Sequence, residues 1–229
     1  IRVTHGQTDR IERGMGAFAS RVTVMTGSAV AEAAAKLRER LVETAAERLQ
    51  LPASELSISE GNITANGDRD GPSMPVVDAV SATLDGVGGD VVSVETTFEA
   101  THMTYPYGVH IAIVKVDPAT AGVEIERYIV AYDIGKSVNP MLVEGQIAGG
   151  MAQGIGGALY EEFLYSDEGQ PLSATFADYL WPTAKEVPDV ETLVTEDAPS
   201  GTNPLGLKGA GEGGINASGA AIASAVGQA

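Results

Sequence analysis

The sequence contains no cysteine, and only 5% of its 229 residues are aromatic. Without thiols the chain cannot form disulfides, thiolate zinc sites or cysteine-ligated iron–sulfur clusters, and it offers no cysteine nucleophile. The three histidines, His5, His102 and His110, are far apart and lack HxxxH or HExxH spacing. We therefore expect no metal site built from side chains.

Basic residues and long apolar runs are also scarce. The chain has 14 lysines and arginines against 31 acidic residues, which gives a net charge of −17. Such a chain repels phosphate backbones and anionic lipids, so we expect it to bind neither nucleic acid nor a membrane. No apolar run approaches the roughly 18 residues that a membrane-spanning helix needs. These absences predict a soluble protein, and a cytoplasmic location fits them best.

What the chain does contain is enough apolar sequence, 44%, for a sizeable core. Apolar residues between Val30 and Leu49 recur at spacings of three and four and predict a long amphipathic helix, with Ser28 as its N-cap. Asn139 and Pro140 are typical of a helix start, and we expect that helix to continue to residue 165. A shorter helical piece is expected near residues 76–84, and an alanine-rich helix closes the chain.

Other segments alternate with a period of two. This pattern predicts strands over residues 91–100, 109–117 and 123–133, and a hairpin over residues 56–67. After Gln170 frequent prolines predict irregular structure. The fold class is therefore α+β, with mixed strands and helices. Residues 1–229 form either one compact unit or two α+β subdomains with a break near 90–105.

Glycine is abundant, at 28 residues, and it is clustered. Six glycines lie in the predicted helix after Asn139, where each costs about 0.5–1 kcal/mol relative to alanine. Two explanations would offset this cost, and the sequence leaves both open. The helix packs tightly against a neighbour through its small residues, or a ligand lies against it.

The strongest candidate for a catalytic group is Glu212, which lies between glycines at the entrance of the last helix. The glycines remove side-chain bulk, so Glu212 could approach a substrate or cofactor closely and act as a general base. It could equally be a simple loop glutamate beside a helix N-terminus. The surrounding order of residues matches neither a phosphate-binding GxxxxGK loop nor a GxGxxG loop after a strand.

Two further segments are candidates for ligand binding. Gln153 offers an amide inside the glycine-rich helix, suited either to a heterocycle or phosphate or to bonding with a neighbouring loop. The segment 14–21 joins small residues to a hydroxyl and a guanidinium, and it could follow the surface of a ligand or only form a tight turn.

Three segments in order, HGQTDRIERGMGAFASRVTVMTG, SVNPMLVEGQIAGGMAQGIGGALYEE and NPLGLKGAGEGG, resemble landmarks of one family. That family is the molybdenum-binding large subunit of the xanthine dehydrogenase, aldehyde oxidase and aerobic-type carbon monoxide dehydrogenase group. The resemblance is to its second molybdopterin-binding domain and covers essentially the whole chain. It implies a C-terminal, molybdopterin-binding portion, with the N-terminal half of the subunit absent.

The resemblance also implies roles for particular residues. Glu212 resembles the family's base, which takes a proton during water-derived oxidation or hydroxylation of an aldehyde, N-heterocycle or similar small substrate. The remaining implied positions bind the cofactor: Gln153, Gly154, Gly16, Phe18, Ala19, Ser20, Arg21, Lys208 and Gly209. The cofactor, molybdopterin cytosine dinucleotide, itself holds the molybdenum in the complete subunit, so no side chain need ligate the metal.

The expected partners follow from the same resemblance. They are the missing N-terminal half of the molybdenum subunit, iron–sulfur and FAD subunits, and a small-molecule substrate, in a complex that forms a dimer of heteromers. The isolated chain is expected to be an inactive piece of a molybdenum-dependent oxidoreductase. Two other functions stay open, a non-catalytic scaffold of the same fold and a phosphate- or nucleotide-binding protein.

Overall fold

The computed structural model describes residues 1–14, 16–65 and 71–229. The chain divides into two compact units. The first comprises Ile1–Val3 and Thr26–Glu99, and the second comprises Thr4–Met25 and Ala100–Ala229.

The first unit packs two helices against a small antiparallel sheet. Its elements are α1 (Ser28–Leu49), β1 (Leu56–Ser59), β2 (Asn62–Ala65), β3 (Ser73–Pro75) and α2 (Val76–Val87). The predicted hairpin is confirmed, since β1 pairs with β2 across Glu60 and Gly61. Its last two predicted residues, Asn66 and Gly67, lie outside the described residues. The predicted stripe of α1 is also confirmed, because Leu41 and Ala45 are buried in the core of this unit.

The second unit is built on a mixed three-stranded sheet of order β4-β5-β6. Its elements are β4 (Tyr107–Val116), β5 (Val123–Asp133), α3 (Pro140–Leu159), β6 (Val190–Thr195) and α4 (Ser218–Gln228). β4 and β5 are antiparallel, and β6 runs parallel to β5 after the crossover through α3. The core joins alternate residues of β5 to one face of α3 and to α4: Tyr128, Val130, Tyr132, Ile134, Ile147, Met151, Ile155 and Ile222.

Several local predictions are confirmed and several are wrong. Asn139 caps α3 as expected, accepting a hydrogen bond from the N–H of Leu142 at 3.3 Å. However, α3 ends at Leu159 and not at residue 165, because the N–H groups of Tyr160 and Glu161 both close onto the Gly156 carbonyl. Ser28 does not cap α1, since a π-helical turn over Thr23–Gly27 directly precedes it.

Two strand assignments also differ from the prediction. Residues 91–100 form no strand, although they alternate; Thr96 instead donates its hydroxyl to the Ala29 carbonyl at 2.7 Å. Conversely, residues after Gln170 are not wholly irregular, because β6 adds to the sheet there. Alternation alone predicts a strand only where a partner strand can complete its hydrogen bonds.

No helix in the part of the chain that the structure describes combines the length and the apolar character that a bilayer span requires.

Candidate active site

Two loops far apart in the sequence meet at Ser20 and Glu212. The Ser20 hydroxyl donates a hydrogen bond to Glu212 Oε2 at 2.6 Å, and it accepts one from the Glu212 backbone N–H at 2.8 Å. Glu212 is exposed, and its Oε1 accepts no hydrogen bond from any residue that the structure describes. The arrangement fixes one oxygen of the carboxylate and leaves the other accessible.

The glycines around Glu212 make room for Ser20. A Cβ on Gly209 would lie 2.9 Å from Ser20 Cβ, and a Cβ on Gly211 would lie 3.3 Å from Ser20 Oγ. The first distance is too short unless Ser20 shifts, and the second is tighter than an ordinary van der Waals contact. The alternation of glycine in this loop is therefore explained by the close approach of the serine.

Tyr132 on β5 supports the same loop from beneath. A Cβ on Gly213 would lie 2.2 Å from the Tyr132 ring, so only glycine fits above it. The Tyr132 hydroxyl donates to the Gly209 carbonyl at 3.2 Å. Burial of the ring and the negative charge of Glu212 raise the pKa of Tyr132 to about 12, so the hydroxyl keeps its proton.

His110 on β4 holds the loop from a second side. Its Nε2 lies 2.8 Å from the Gly213 carbonyl oxygen, and its Nδ1 lies 2.9 Å from the Tyr128 hydroxyl. Because a carbonyl can only accept, the neutral ring carries its proton on Nε2, and Nδ1 accepts from Tyr128. Burial lowers the pKa of His110, although the bond to Gly213 opposes the shift. The neutral ring is thus the form that supports the loop.

This geometry predicts a pH dependence of stability. The folded-state pKa of His110 is below the unfolded value of about 6.5, so the unfolded chain binds more protons in this window. The contribution of His110 is fully present above pH ~6.5 and is lost as the pH falls through the lowered pKa. We expect the difference in unfolding midpoint between the wild type and His110→Gln to shrink from pH 7.5 to pH 5.

The matched control is His102→Gln, which alters an exposed histidine of the same unit. The unfolding midpoint should be followed by fluorescence of Trp181, the single tryptophan, which belongs to the second unit. A difference between wild type and His110→Gln that is constant with pH would refute the assignment.

Lys208 makes a structural ion pair. Its ammonium lies 3.3 Å from Asp133 Oδ1, and its side chain is only 7% exposed. It also lies 5.2 Å from the centre of the Tyr107 ring. Burial raises the pKa of Asp133, but the N–H of Gly135 and the Lys208 charge outweigh this and hold the pKa below its usual range. Lys208 therefore anchors the start of the glycine loop to the end of β5.

The small-residue loop before α1 has an unusual backbone. Gly16, Ala19 and Ser20 have φ values of 80°, 50° and 55°. Left-handed φ is uncommon for residues other than glycine, so this conformation is held by its surroundings. Phe18 is exposed, and the Arg21 guanidinium lies 5.2 Å from the centre of its ring. Met15 of this loop lies outside the described residues.

Five of the six glycines of α3 divide into two groups, and at the sixth, Gly156, an added Cβ would overlap the Glu161 carboxylate. Gly150 and Gly154 are packing positions, because a Cβ on Gly150 would lie 2.9 Å from Gly214 Cα and one on Gly154 would lie 2.3 Å from Ser218 Cβ. The Ser218 hydroxyl in turn donates to the Gly214 carbonyl at 2.7 Å. Tight helix packing thus accounts for these two glycines and connects α3 to the loop that carries Glu212.

The second group faces open space, because an added Cβ would meet no described atom within 4 Å apart from its chain neighbours and the backbone of its own helix: Gly145, Gly149 and Gly157. Gln153 is likewise exposed and forms no hydrogen bond with a described residue. Packing does not explain these positions, so they leave room for a ligand against α3.

Sequence reasoning did not identify Tyr132, His110 or Ser218 as supports of the site. One signal was available for His110, since it is a polar residue at a position of β4 where the alternation points toward the core. Nothing comparable marks Tyr132, which reads as an ordinary core aromatic. In the described part of the chain, no group of three or more histidine, aspartate or glutamate side chains is arranged to hold a metal ion.

A family model described as "Molybdopterin cofactor-binding domain" matches residues 1–188. The chain belongs to this family. The resemblance found in the sequence is thereby confirmed, as is the α+β fold class of this molybdopterin cofactor-binding domain. The loop that carries Glu212 lies beyond the matched residues.

Curated relatives extend the similarity over most of the chain. The domain is 41% identical over 234 residues to the 6-hydroxypseudooxynicotine dehydrogenase complex subunit gamma of Paenarthrobacter nicotinovorans, covering 99% of the chain and 29% of that protein. It is 32% identical over 223 residues to the carbon monoxide dehydrogenase large chain of Hydrogenophaga pseudoflava, covering 93% and 26%. The chain thus spans less than a third of the length of these relatives.

Solved structures agree in fold. Reconstituted CO dehydrogenase from Oligotropha carboxidovorans superposes with a TM-score of 0.86 at 29% identity, covering 96% of this chain and 28% of that one. Quinoline 2-oxidoreductase from Pseudomonas putida 86 gives a TM-score of 0.82 at 34% identity, covering 93% and 28%. The two curated relatives are named as the subunit gamma of a dehydrogenase complex and as the large chain of a dehydrogenase, and a further solved structure of similar fold is described as a Cu,Mo-CO dehydrogenase.

Proposed function

We propose that this domain is part of the catalytic molybdenum subunit of a hydroxylase, in which Glu212 is the general base. The observation that carries the proposal is the meeting of the two glycine-rich loops at the Ser20–Glu212 pair, which presents one free carboxylate oxygen beside exposed backbone. Membership in the molybdopterin cofactor-binding family supplies the cofactor class. The cytosine dinucleotide form of that cofactor is part of the proposal.

The residues around Glu212 fit such a cofactor. Gly16, Ala17, Ala19 and Gly211 are exposed residues, and their backbone N–H groups donate to no residue that the structure describes. Pterin heteroatoms and phosphate oxygens accept hydrogen bonds of this kind, and in a chain of net charge −17 neutral N–H groups are suitable donors for an anion. Gln153 and Arg21 would add side-chain donors, while Phe18 supplies an exposed apolar face.

The chemistry assigns a separate task to each part. When bound, the cofactor supplies two-electron redox chemistry. Conversion of a C–H group and water into a C–OH group releases two protons and two electrons, and Glu212 accepts one of those protons at Oε1. Ser20 keeps Oε2 engaged, so the carboxylate presents one oxygen. Tyr132 and His110 hold the backbone on which Glu212 is mounted.

The substrate class proposed is an aldehyde, an N-heterocycle or a similar small molecule. It is supported by the relatives, which include a nicotine 6-hydroxylase large subunit at 32% identity and quinoline 2-oxidoreductase. The same set contains carbon monoxide dehydrogenase. The relatives named for nicotine and quinoline therefore support the proposed substrate class, and the family as a whole supports the proposed reaction type.

The outer face of the β4-β5-β6 sheet supports the proposed partners. It carries Val109, Ile111 and Leu193, which are 60%, 49% and 60% exposed. Contiguous apolar surface of this kind marks a protein interface. We propose that the rest of the molybdenum subunit covers this face, and that iron–sulfur and FAD subunits complete the complex.

The test of cofactor binding is Gln153→Ala in the complete molybdenum subunit. Losing one hydrogen bond costs about 0.5–1.5 kcal/mol, so cofactor occupancy should fall about two- to tenfold under subsaturating conditions. Turnover per bound molybdenum should change little. Molybdenum is measured by elemental analysis, and the nucleotide by the cytidine monophosphate released on hydrolysis.

The matched control is Gln146→Ala, which removes an exposed amide from the same helix two turns earlier. It should leave molybdenum and nucleotide content unchanged. A wild-type subunit that contains neither molybdenum nor cytidine monophosphate would support a non-catalytic scaffold. Unchanged occupancy in Gln153→Ala would remove that residue from the cofactor site.

A further inference from the structure

We propose that Ser20 is a positioning residue for Glu212 and donates no hydrogen bond to the cofactor. The inference rests on the proposed function of Glu212 as the base, and it reassigns one of the residues that the family resemblance gave to the cofactor. In this role the Ser20 hydroxyl determines which oxygen of the Glu212 carboxylate faces the substrate.

The hydrogen bonds of Ser20 leave it no proton for another partner. Its hydroxyl has one hydrogen, which it donates to Glu212 Oε2 at 2.6 Å. The hydroxyl oxygen accepts from the Glu212 N–H at 2.8 Å. The backbone N–H and the carboxylate of Glu212 are thus joined through the Ser20 hydroxyl into a closed ring of hydrogen bonds. Such a ring ties the Glu212 side chain to its own backbone and restricts its rotamers.

The surroundings place Ser20 for this task. Ser20 lies against Gly209 and Gly211, where a Cβ would come within 2.9 and 3.3 Å of its side-chain atoms. Ala19 and Ser20 both adopt left-handed φ, and the Ser20 hydroxyl is hydrogen-bonded to Glu212 of the glycine loop. The consequence is that Oε2 is held on the protein side while Oε1 accepts no bond from a described residue.

The first test is kinetic and uses the cofactor-loaded complex. In Ser20→Ala we expect kcat per molybdenum to fall about tenfold with little change in KM, because a misplaced base affects the chemical step. Ser20→Cys keeps the shape of the side chain and has a weaker hydrogen-bond donor. Its kcat per molybdenum should lie between those of the wild type and Ser20→Ala. In a Glu212→Gln background, Ser20→Ala should cause no further loss, since it acts only through the glutamate.

The second test does not depend on activity. Hydrogen–deuterium exchange of peptides covering residues 209–214 should become about two- to tenfold faster in Ser20→Ala, as expected for the loss of one hydrogen bond. The matched control is Ser166→Ala, which removes a hydroxyl that accepts from the N–H groups of Glu168 and Gln170 in an exposed loop. It should leave exchange over 209–214 and kcat unchanged.

The outcomes separate this inference from the proposed function. Normal turnover in Glu212→Gln overturns the proposed function itself. If Glu212→Gln is slow but Ser20→Ala has normal kcat, only the positioning role is overturned. If the Ser20→Ala complex loses molybdenum but keeps its kcat per metal, Ser20 binds the cofactor and does not position Glu212. If hydrogen–deuterium exchange over residues 209–214 is unchanged in Ser20→Ala, the ring of hydrogen bonds is refuted.

Discussion

Replacing Glu212 with glutamine should reduce turnover of the cofactor-loaded complex by about 100- to 10,000-fold, the range that a positioned general base contributes. Glutamine keeps the size of the side chain and can still accept the Ser20 hydroxyl bond through its amide oxygen. It cannot accept a proton at the exposed position. The loss should therefore appear in kcat per molybdenum, with molybdenum content and unfolding midpoint near those of the wild type.

The control for this change is Glu186→Gln. Glu186 also accepts hydrogen bonds from a hydroxyl and a backbone N–H, both of Thr183, but it lies in a loop outside the candidate site. It should keep wild-type turnover. If Glu212 were only a loop glutamate near a helix N-terminus, its replacement would cost under about 1 kcal/mol of stability and leave turnover intact. That result would end the assignment of Glu212 as the base.

The sequence predicted much of the second unit because local signals were strong there. A period-two pattern predicted β5 over the same residues, Val123–Asp133, that the structure assigns to it. Asn139 capped α3 as its side chain and the following proline required. Both signals act over a few residues, so they need no knowledge of the rest of the chain.

Predictions that depend on distant partners were less successful. Residues 91–100 alternate but find no partner strand, and β6 lies among prolines yet pairs with β5. A short alternating segment becomes a strand only if the fold leaves a sheet edge with which it can pair. A single sequence contains no information on that pairing.

The site shows the same division. Glu212 and Ser20 were each singled out from their own loop, yet they are 192 positions apart, and the hydrogen bonds that join them could not be predicted from spacing. His110 and Tyr132 were not singled out, because their role is to hold backbone carbonyls of a loop from β4 and β5. Neither His110 nor Tyr132 belongs to a local motif, so nothing in its own segment indicates the distant loop that it holds.

The glycines of α3 allow the two explanations of their abundance to be separated by experiment. In Gly154→Ala, the added methyl group would overlap Ser218, whose Cβ is fixed by the backbone of α4. The two helices must then move apart. We expect a destabilisation near the upper end of the about 1–3 kcal/mol that overpacking costs, measured by urea unfolding of the cofactor-free chain and followed by Trp181 fluorescence.

Gly149→Ala is the matched control in the same helix, since an added Cβ there meets no described atom within 4 Å apart from its chain neighbours and the helix's own backbone. It should stabilise the chain by about 0.5–1 kcal/mol, because alanine has the higher helix propensity. If Gly154 served only to admit a cofactor, both variants would stabilise the cofactor-free chain equally. Opposite signs would show that Gly154 is required for the packing of α3 on α4. Because Ser218 also holds the Gly214 carbonyl, the same shift should displace the loop that carries Glu212 and lower turnover in the loaded complex.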